Sequence, residues 1–70
     1  MTALRSTVSG SVIEVLVTVG QRIAIDTDIV LVESMKMEIP VAAESAGVVS
    51  EVCVARGEVI SEGDTLVVLA

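Results

Sequence analysis

The chain is 70 residues long and carries ten acidic side chains against four basic ones, a formal charge of −6, with no histidine and no aromatic residue. Nucleic acid binding depends on clustered Lys and Arg, so this charge balance argues against a nucleic acid partner. Without histidine the chain lacks the commonest general base and metal ligand, and we predict neither independent catalysis nor a metal site.

Length and apolar content predict one all-β domain over residues 1–70. Val, Ile and Leu supply 26 residues, of which 21 are β-branched, and β-branched side chains favour strands over helices. No segment has a helical period. The chain has no signal peptide centre and no run of about 18 apolar residues, and its single cysteine cannot form an internal disulfide. We therefore expect a cytoplasmic protein without a membrane partner.

Six strands are predicted in chain order from apolar runs that are bounded by Gly, Asp and Ser. They cover approximately residues 3–7, 10–19, 29–33, 39–43, 47–55 and 66–69. Gly20 and Gly57 end the two long strands. Gly63 marks a stronger turn than Asp26 does, because Gly occupies the left-handed backbone region freely and Asp only tolerates it.

Alternation along the two long strands assigns their side chains to two faces. The side chains predicted to face the core are those of Val15, Val17, Val52 and Val54. Glu14 and Glu51 then face solvent. Val12 lies three residues before Val15, so a β-bulge is required between them if both are buried. Cys53 is interpreted as a small apolar filler in mid-strand, since little positive charge is near it in sequence to make it a reactive thiol.

Residues 2–33 and residues 39–70 are diverged copies of one sequence, offset by 37 positions. The segment GSVIEVLVTVGQRI, which begins at Gly10, aligns with GVVSEVCVARGEVI, which begins at Gly47. Internal similarity at a fixed offset indicates a duplicated structural unit. The five residues outside both copies are centred on Lys36, which is the only lysine in the chain.

Residues 34–38 are predicted to form a tight, exposed hairpin, because one predicted strand ends just before them and another begins just after them. Pro40 has no backbone donor and suits an edge strand. A lysine at such a tip is accessible to a modifying enzyme. The alternative is a solvated charge beside two packed methionines, Met35 and Met37. The unique lysine, the two methionines and the position at the centre of the duplication together favour a functional site.

The sequence ESMKMEIP at residues 33–40 closely resembles the attachment motif of biotinyl domains, the biotin carboxyl carrier family. Along its whole length the chain is most similar to the small stand-alone biotin/lipoyl attachment proteins of bacteria. Its glycines at positions 10, 20, 47 and 57 fall where the family has turn glycines. The resemblance implies a flattened β-barrel of two four-stranded antiparallel sheets related by a quasi-two-fold axis, with the modified lysine at a hairpin tip.

The resemblance also implies a function. Lys36 would be joined to biotin through an amide by a biotin protein ligase, with Met35 and Met37 as the flanking motif. The biotin would carry a carboxyl group from a biotin carboxylase to a carboxyltransferase of an acyl-CoA, urea or related carboxylase. The chain would then be a non-catalytic carrier subunit.

Three positions depart from the family pattern. Ser34 stands where Ala is common, Gln21 where Asp is usual and Asp26 where Gly is frequent. The latter two leave the geometry of two turns open. The segment 20–28 is also too short for the additional "thumb" loop of some acetyl-CoA carboxylase carriers, which argues against that subtype.

Two alternative functions remain open at this point. A lipoyl carrier of a dehydrogenase or glycine-cleavage system would have the same fold with lipoate on Lys36, although lipoyl domains typically have Asp-Lys-Ala at the tip. The other alternative is an unmodified interaction module whose tip contacts a partner.

Overall fold

A computed structural model describes residues 1–70 and consists of strands joined by turns and short loops. The eight strands are β1 (Thr2–Arg5), β2 (Gly10–Val15), β3 (Arg22–Ile23), β4 (Asp28–Ser34), β5 (Met37–Ala42), β6 (Gly47–Val52), β7 (Val59–Ile60) and β8 (Thr65–Leu69). They form two four-stranded antiparallel sheets, ordered β1-β8-β6-β3 and β5-β4-β2-β7. The predicted all-β barrel-sandwich of two such sheets is therefore confirmed. The structure has no helix with the length and apolar character of a membrane span.

The two sheets repeat one arrangement of strands. A shift of 37 residues carries β2 onto β6 and β3 onto β7, and it carries one sheet order onto the other. The hydrogen bonds between the two halves of the chain repeat as well. The Gly20 amide donates to the Val49 carbonyl at 2.8 Å, and the Gly57 amide donates to the Val12 carbonyl at 2.8 Å. Each half thus closes part of the barrel with an edge segment bonded to the other half.

The predicted C-terminal ends of the two long strands are wrong. β2 ends at Val15 and β6 ends at Val52, rather than near residues 19 and 55. Apolar alternation continues beyond these points, and Val17 is buried, but the chain there has left the strand ladder. The two-residue strands β3 and β7 were not predicted, because two residues are too few to display a period.

The predicted β-bulge is confirmed. The register between β2 and β4 shifts between Val12 and Glu14, and the second copy has the same shift between Val49 and Glu51 on β6. In each case the extra residue bends the strand and lets buried apolar positions be three apart.

The core consists of fourteen buried apolar residues between the two sheets. They are Leu4, Val12, Val17, Ile23, Ile29, Val30, Val32, Val41, Ala43, Val49, Ile60, Leu66, Val67 and Leu69. Of the four valines predicted to face inward, Val17 is in this core and Val15, Val52 and Val54 pack against it half-buried. Glu14 and Glu51 are exposed, as expected.

Positions 21 and 26 depart from the family pattern, but the turns that contain them match the equivalent turns of the second half. The Gln21 Oε1 atom accepts a hydrogen bond from the Thr18 amide at 3.1 Å, and Glu58 accepts the equivalent bond from the Ala55 amide at 3.0 Å. Asp26 adopts a φ of 74°, close to the left-handed conformation of its counterpart glycine. The side chains differ from the family pattern, but the backbone turns agree between the copies.

The interpretation of Cys53 as a small apolar filler is wrong. Cys53 is exposed and lies just after the end of β6, as the equivalent residue Leu16 lies just after β2 and is 40% exposed. Partial desolvation raises the pKa of the Cys53 thiol, and so do the nearby charge of Glu51 and a hydrogen bond from Sγ to its carboxylate at 3.8 Å.

Candidate functional site at the β4–β5 hairpin

The lone lysine lies in the turn of the hairpin between β4 and β5. Ser34 and Met37 form the last pair of the ladder, so the turn consists of only two residues, Met35 and Lys36. Their φ angles are 53° and 65°. Positive φ at both central residues is the signature of a type I′ turn, whose twist matches that of the two strands. The predicted hairpin is therefore present, with a tighter turn than the five-residue segment suggested.

The tip projects beyond the end of the barrel. Along the face of the hairpin that is turned to the core, Val32 is fully buried and its partner Ile39 is partly buried. Two residues further toward the tip on the same face, Met37 is 60% exposed. Met35, in the turn, is 92% exposed, and Lys36 is exposed as well. The lysine is thus presented to solvent between two uncovered apolar side chains.

The turn is built from residues that do not favour its conformation. A type I′ turn usually contains Asn-Gly or a similar pair, and a non-glycine residue in the left-handed region costs about 1–2 kcal/mol. The ladder of β4 and β5 holds Met35 and Lys36 in this conformation over six residue pairs. Residues in strained conformations that are held by their surroundings are concentrated at functional sites.

Two carboxylates face each other directly below the turn. Glu33 and Glu38 are an opposed pair of β4 and β5 and both are exposed. Pro40, opposite Leu31, cannot donate a ladder hydrogen bond, so that pair is of the non-hydrogen-bonded type. Pair types alternate, which makes Glu33 and Glu38 non-hydrogen-bonded also, and side chains are closest in such pairs. Like charges opposed in this way are destabilising, and they place negative charge beside the lysine.

A close backbone approach supports the hairpin from the neighbouring strand. At Gly10 on β2, an added Cβ would lie 2.9 Å from Val32 Cγ1 and closer still to the Glu33 carbonyl oxygen. Only a residue without a Cβ allows β2 to lie this near to β4 at the base of the tip. The sequence indicated Gly10 only as a turn glycine, because a glycine that serves a close approach has no distinguishing neighbours in sequence.

The structure places the three predicted site residues on the hairpin tip, whereas the only cysteine, Cys53, lies just after β6. It brings Met35, Lys36 and Met37 together on one tip. No group of three or more His, Cys, Asp or Glu side chains is arranged to hold a metal ion, and the surface has no pocket. The chemistry that the tip offers is that of one accessible primary amine.

Comparison with known proteins relates this chain to carriers of covalently bound cofactors. A family model described as "Biotin-requiring enzyme" matches residues 2–69. The chain is 48% identical over 67 residues to a biotinylated protein TB7.3 homolog of Mycobacterium leprae, with 96% of this chain and 94% of that protein covered. It is 39% identical over 62 residues to a biotin/lipoyl attachment protein of Bacillus subtilis, with 89% and 85% covered.

More distant matches include longer proteins. A biotin carboxyl carrier protein of Streptococcus mutans is 36% identical over 61 residues, which cover 87% of this chain and 47% of that protein. The crystal structure of urea carboxylase from Kluyveromyces lactis matches with a TM-score of 0.91 and 25% identity, over 99% of this chain and 6% of that one. The lipoyl domain of the 2-oxoglutarate dehydrogenase complex from Azotobacter vinelandii matches with a TM-score of 0.70 and 29% identity, over 89% and 78%.

Proposed function

This chain belongs to the biotin/lipoyl attachment family, and from that premise we propose that it is a biotin carboxyl carrier whose biotin is joined to Lys36. The observation that carries the proposal is the position of the only lysine of the chain. It is an exposed residue of a two-residue turn that projects from a rigid barrel, with a methionine on each side. Sites on such supported elements hold a reacting group in one place and one direction.

The residues present fit covalent attachment of biotin. A neutral lysine amine can form an amide with an activated carbonyl, whereas arginine remains charged and is no substitute as a nucleophile. The biotin protein ligase supplies the activated acyl group, and the chain supplies the amine in an accessible position. Bound biotin then supplies a chemistry that no side chain here has, which is the carrying of a carboxyl group.

The carrier works between two partners, a biotin carboxylase and a carboxyltransferase. Tethering gives a cofactor a high effective concentration at both sites without tight binding by either of them. The exposed side chains of Met35 and Met37 flank the attachment point, where they can contact a partner surface without any loss from the core. We propose that the chain is the carrier and that the catalytic groups belong to its partners.

The test is biotinylation of the purified chain by a biotin protein ligase with ATP and biotin, measured by intact mass and avidin binding. The wild type should gain one biotin. Lys36→Arg, which keeps the positive charge, should gain none. A chain in which Met35 and Lys36 are exchanged keeps composition and charge, yet its amine moves from the second position of the turn to the first. We expect its initial rate to fall at least about tenfold, which corresponds to 1.4 kcal/mol.

Thermal melts should show that both variants fold as the wild type does, since both exchanged positions are exposed. A biotinylated Lys36→Arg chain would place the attachment elsewhere. Wild-type rates for the exchanged chain would mean that position in the turn does not govern recognition.

A lipoyl carrier is the second candidate, because the structure also matches a lipoyl domain over most of both chains. The same hairpin would then present the lysine for lipoylation. Intact mass of the chain purified from its native host separates the candidates, since biotin, lipoate and no addition give different masses. An unmodified chain from biotin-replete and lipoate-replete cells would instead favour an interaction module.

A further inference from the structure

Oxidisable side chains are few in this protein and two of them are at the tip. The chain contains three methionines, one cysteine and no Trp, Tyr or His. Met35 is 92% exposed and Met37 is 60% exposed, and they lie on either side of Lys36. The third, Met1, is 96% exposed at the start of the chain. Thioethers are oxidised by peroxides when an oxidant can reach the sulfur, and at the tip nothing in the fold covers them.

The cysteine is not an oxidation target at the tip. The thiolate is the reactive form of cysteine, and partial desolvation raises the pKa of the Cys53 thiol together with the charge and hydrogen bonding of Glu51. Cys53 also lies beyond the end of β6 rather than in the β4–β5 hairpin. Oxidation that reaches the functional end of the molecule therefore has the methionines as its targets.

We propose that Met35 and Met37 form a reversible oxidation site for hydroperoxides, which controls modification of Lys36. In each reaction the methionine sulfur attacks the terminal peroxide oxygen, an S–O bond forms and the O–O bond breaks. The departing oxygen takes up the proton and leaves as water or an alcohol. The sulfur is oxidised by two electrons and the peroxide is reduced by two. Methionine sulfoxide reductases reverse the change.

The effect on modification follows from the polarity of the sulfoxide, and this step depends on the function proposed above. A ligase that acts on Lys36 must surround the tip to exclude water from the reacting carbonyl, and it then covers the neighbouring side chains. A thioether is apolar, but a sulfoxide oxygen that is covered without a hydrogen-bond donor loses its hydration. We expect the initial rate of biotinylation to fall about tenfold or more.

The fold itself should not respond to this oxidation. Neither methionine belongs to the buried core, and both are in the part of the hairpin that projects beyond the barrel. Removal of polar or apolar contacts at exposed positions changes stability little. The oxidised chain should therefore melt at the same temperature as the reduced chain, so that recognition changes while the barrel is retained.

The experiment compares four chains before and after treatment with hydrogen peroxide, with oxidation at each methionine read by peptide mass mapping. The wild type should be slowed by oxidation and should recover with methionine sulfoxide reductase. The variant Met35→Leu/Met37→Leu keeps apolar side chains without sulfur, so its rate should not change on treatment. The variant Met35→Gln/Met37→Gln has permanent polar groups and should be slow without oxidant. Met1→Leu should behave as the wild type.

Two results would overturn the proposal. One is that Met35 and Met37 stay reduced while Met1 is oxidised, and the other is that the doubly oxidised chain is biotinylated at the rate of the reduced chain. Failure of the proposed function is distinguishable from both, because the untreated wild type would then not be biotinylated at all.

Discussion

Replacement of Gly10 by Ala should destabilise the barrel far more than the same replacement at Gly47, its counterpart in the second half. At Gly10 the new methyl group collides with the Glu33 carbonyl oxygen and lies 2.9 Å from Val32 Cγ1. A backbone carbonyl cannot move without displacing β4. At Gly47 the nearest atom is Leu69 Cδ1 at 3.3 Å, the end of a flexible side chain. Neither glycine has a positive φ, so space alone separates the two sites.

Overpacking of this kind costs roughly 1–3 kcal/mol and occasionally more, and a rigid backbone atom puts Gly10→Ala near the upper end, at about 3 kcal/mol. In a domain of this size 1 kcal/mol shifts the melting temperature by about 4–8 °C, so we expect a fall of at least about 12 °C. At Gly47, a small steric cost is offset by the lower entropy of Ala in the unfolded chain, which contributes about 0.4–1 kcal/mol.

Unfolding should be followed by far-UV circular dichroism, because the chain has no aromatic residue to report by fluorescence. Gly10→Ala should also slow biotinylation below the melting transition, since Gly10 lies against the base of the hairpin. Equal melting temperatures for the two variants would refute the reasoning, because they would mean that β2 has room to move away from β4.

Three further predictions concern other parts of the molecule. Asp26→Gly should stabilise the chain by up to about 1 kcal/mol in thermal melts, because it relieves a left-handed residue; a lower melting temperature would show that the aspartate side chain stabilises its turn. Cys53 should be alkylated more slowly in the folded chain than in the urea-unfolded chain at the same pH, because its raised pKa leaves less thiolate. Glu51→Gln should lower that pKa and speed alkylation, and an unchanged rate would exclude the carboxylate as a cause. Separate peptides of residues 1–35 and 36–70 should show no cooperative melting by circular dichroism, because each sheet contains strands from both peptides; a folded half would contradict this interdependence.

The sequence predicted the parts of the fold that have a repeated or periodic signal. The offset of 37 residues and the alternation of valines were enough to indicate the strands, the bulge after Val12 and the hairpin with Lys36 at its tip. The short strands β3 and β7 were not predictable, because their pairing depends on the other half of the barrel. Alternation also cannot tell when a strand leaves its ladder, which is why the two long strands were predicted to continue to about residues 19 and 55.

Some features of the site depend on contacts that sequence does not encode locally. The opposition of Glu33 and Glu38 follows only once the register of the two strands is known, since a turn of another length would pair different residues. The turn was expected to span residues 34–38, yet Ser34 and Met37 continue the ladder and leave two residues with positive φ. The unfavourable conformation of Met35 and Lys36 is imposed by the strands and not by their own preferences.

Because the two sheets correspond, the barrel has a second end at which a lysine hairpin could be built. The pair Thr2 and Leu69 occupies the position that Ile39 and Val32 occupy in the hairpin, so the far end of the barrel is an open hairpin. Head-to-tail cyclisation of the chain through the four residues Ser-Met-Lys-Met, equivalent to 34–37, should close it with a two-residue turn. The cyclised chain would be a bivalent scaffold that takes up two biotins at opposite ends, and a single addition in its intact mass would show that the ligase reads more than the hairpin.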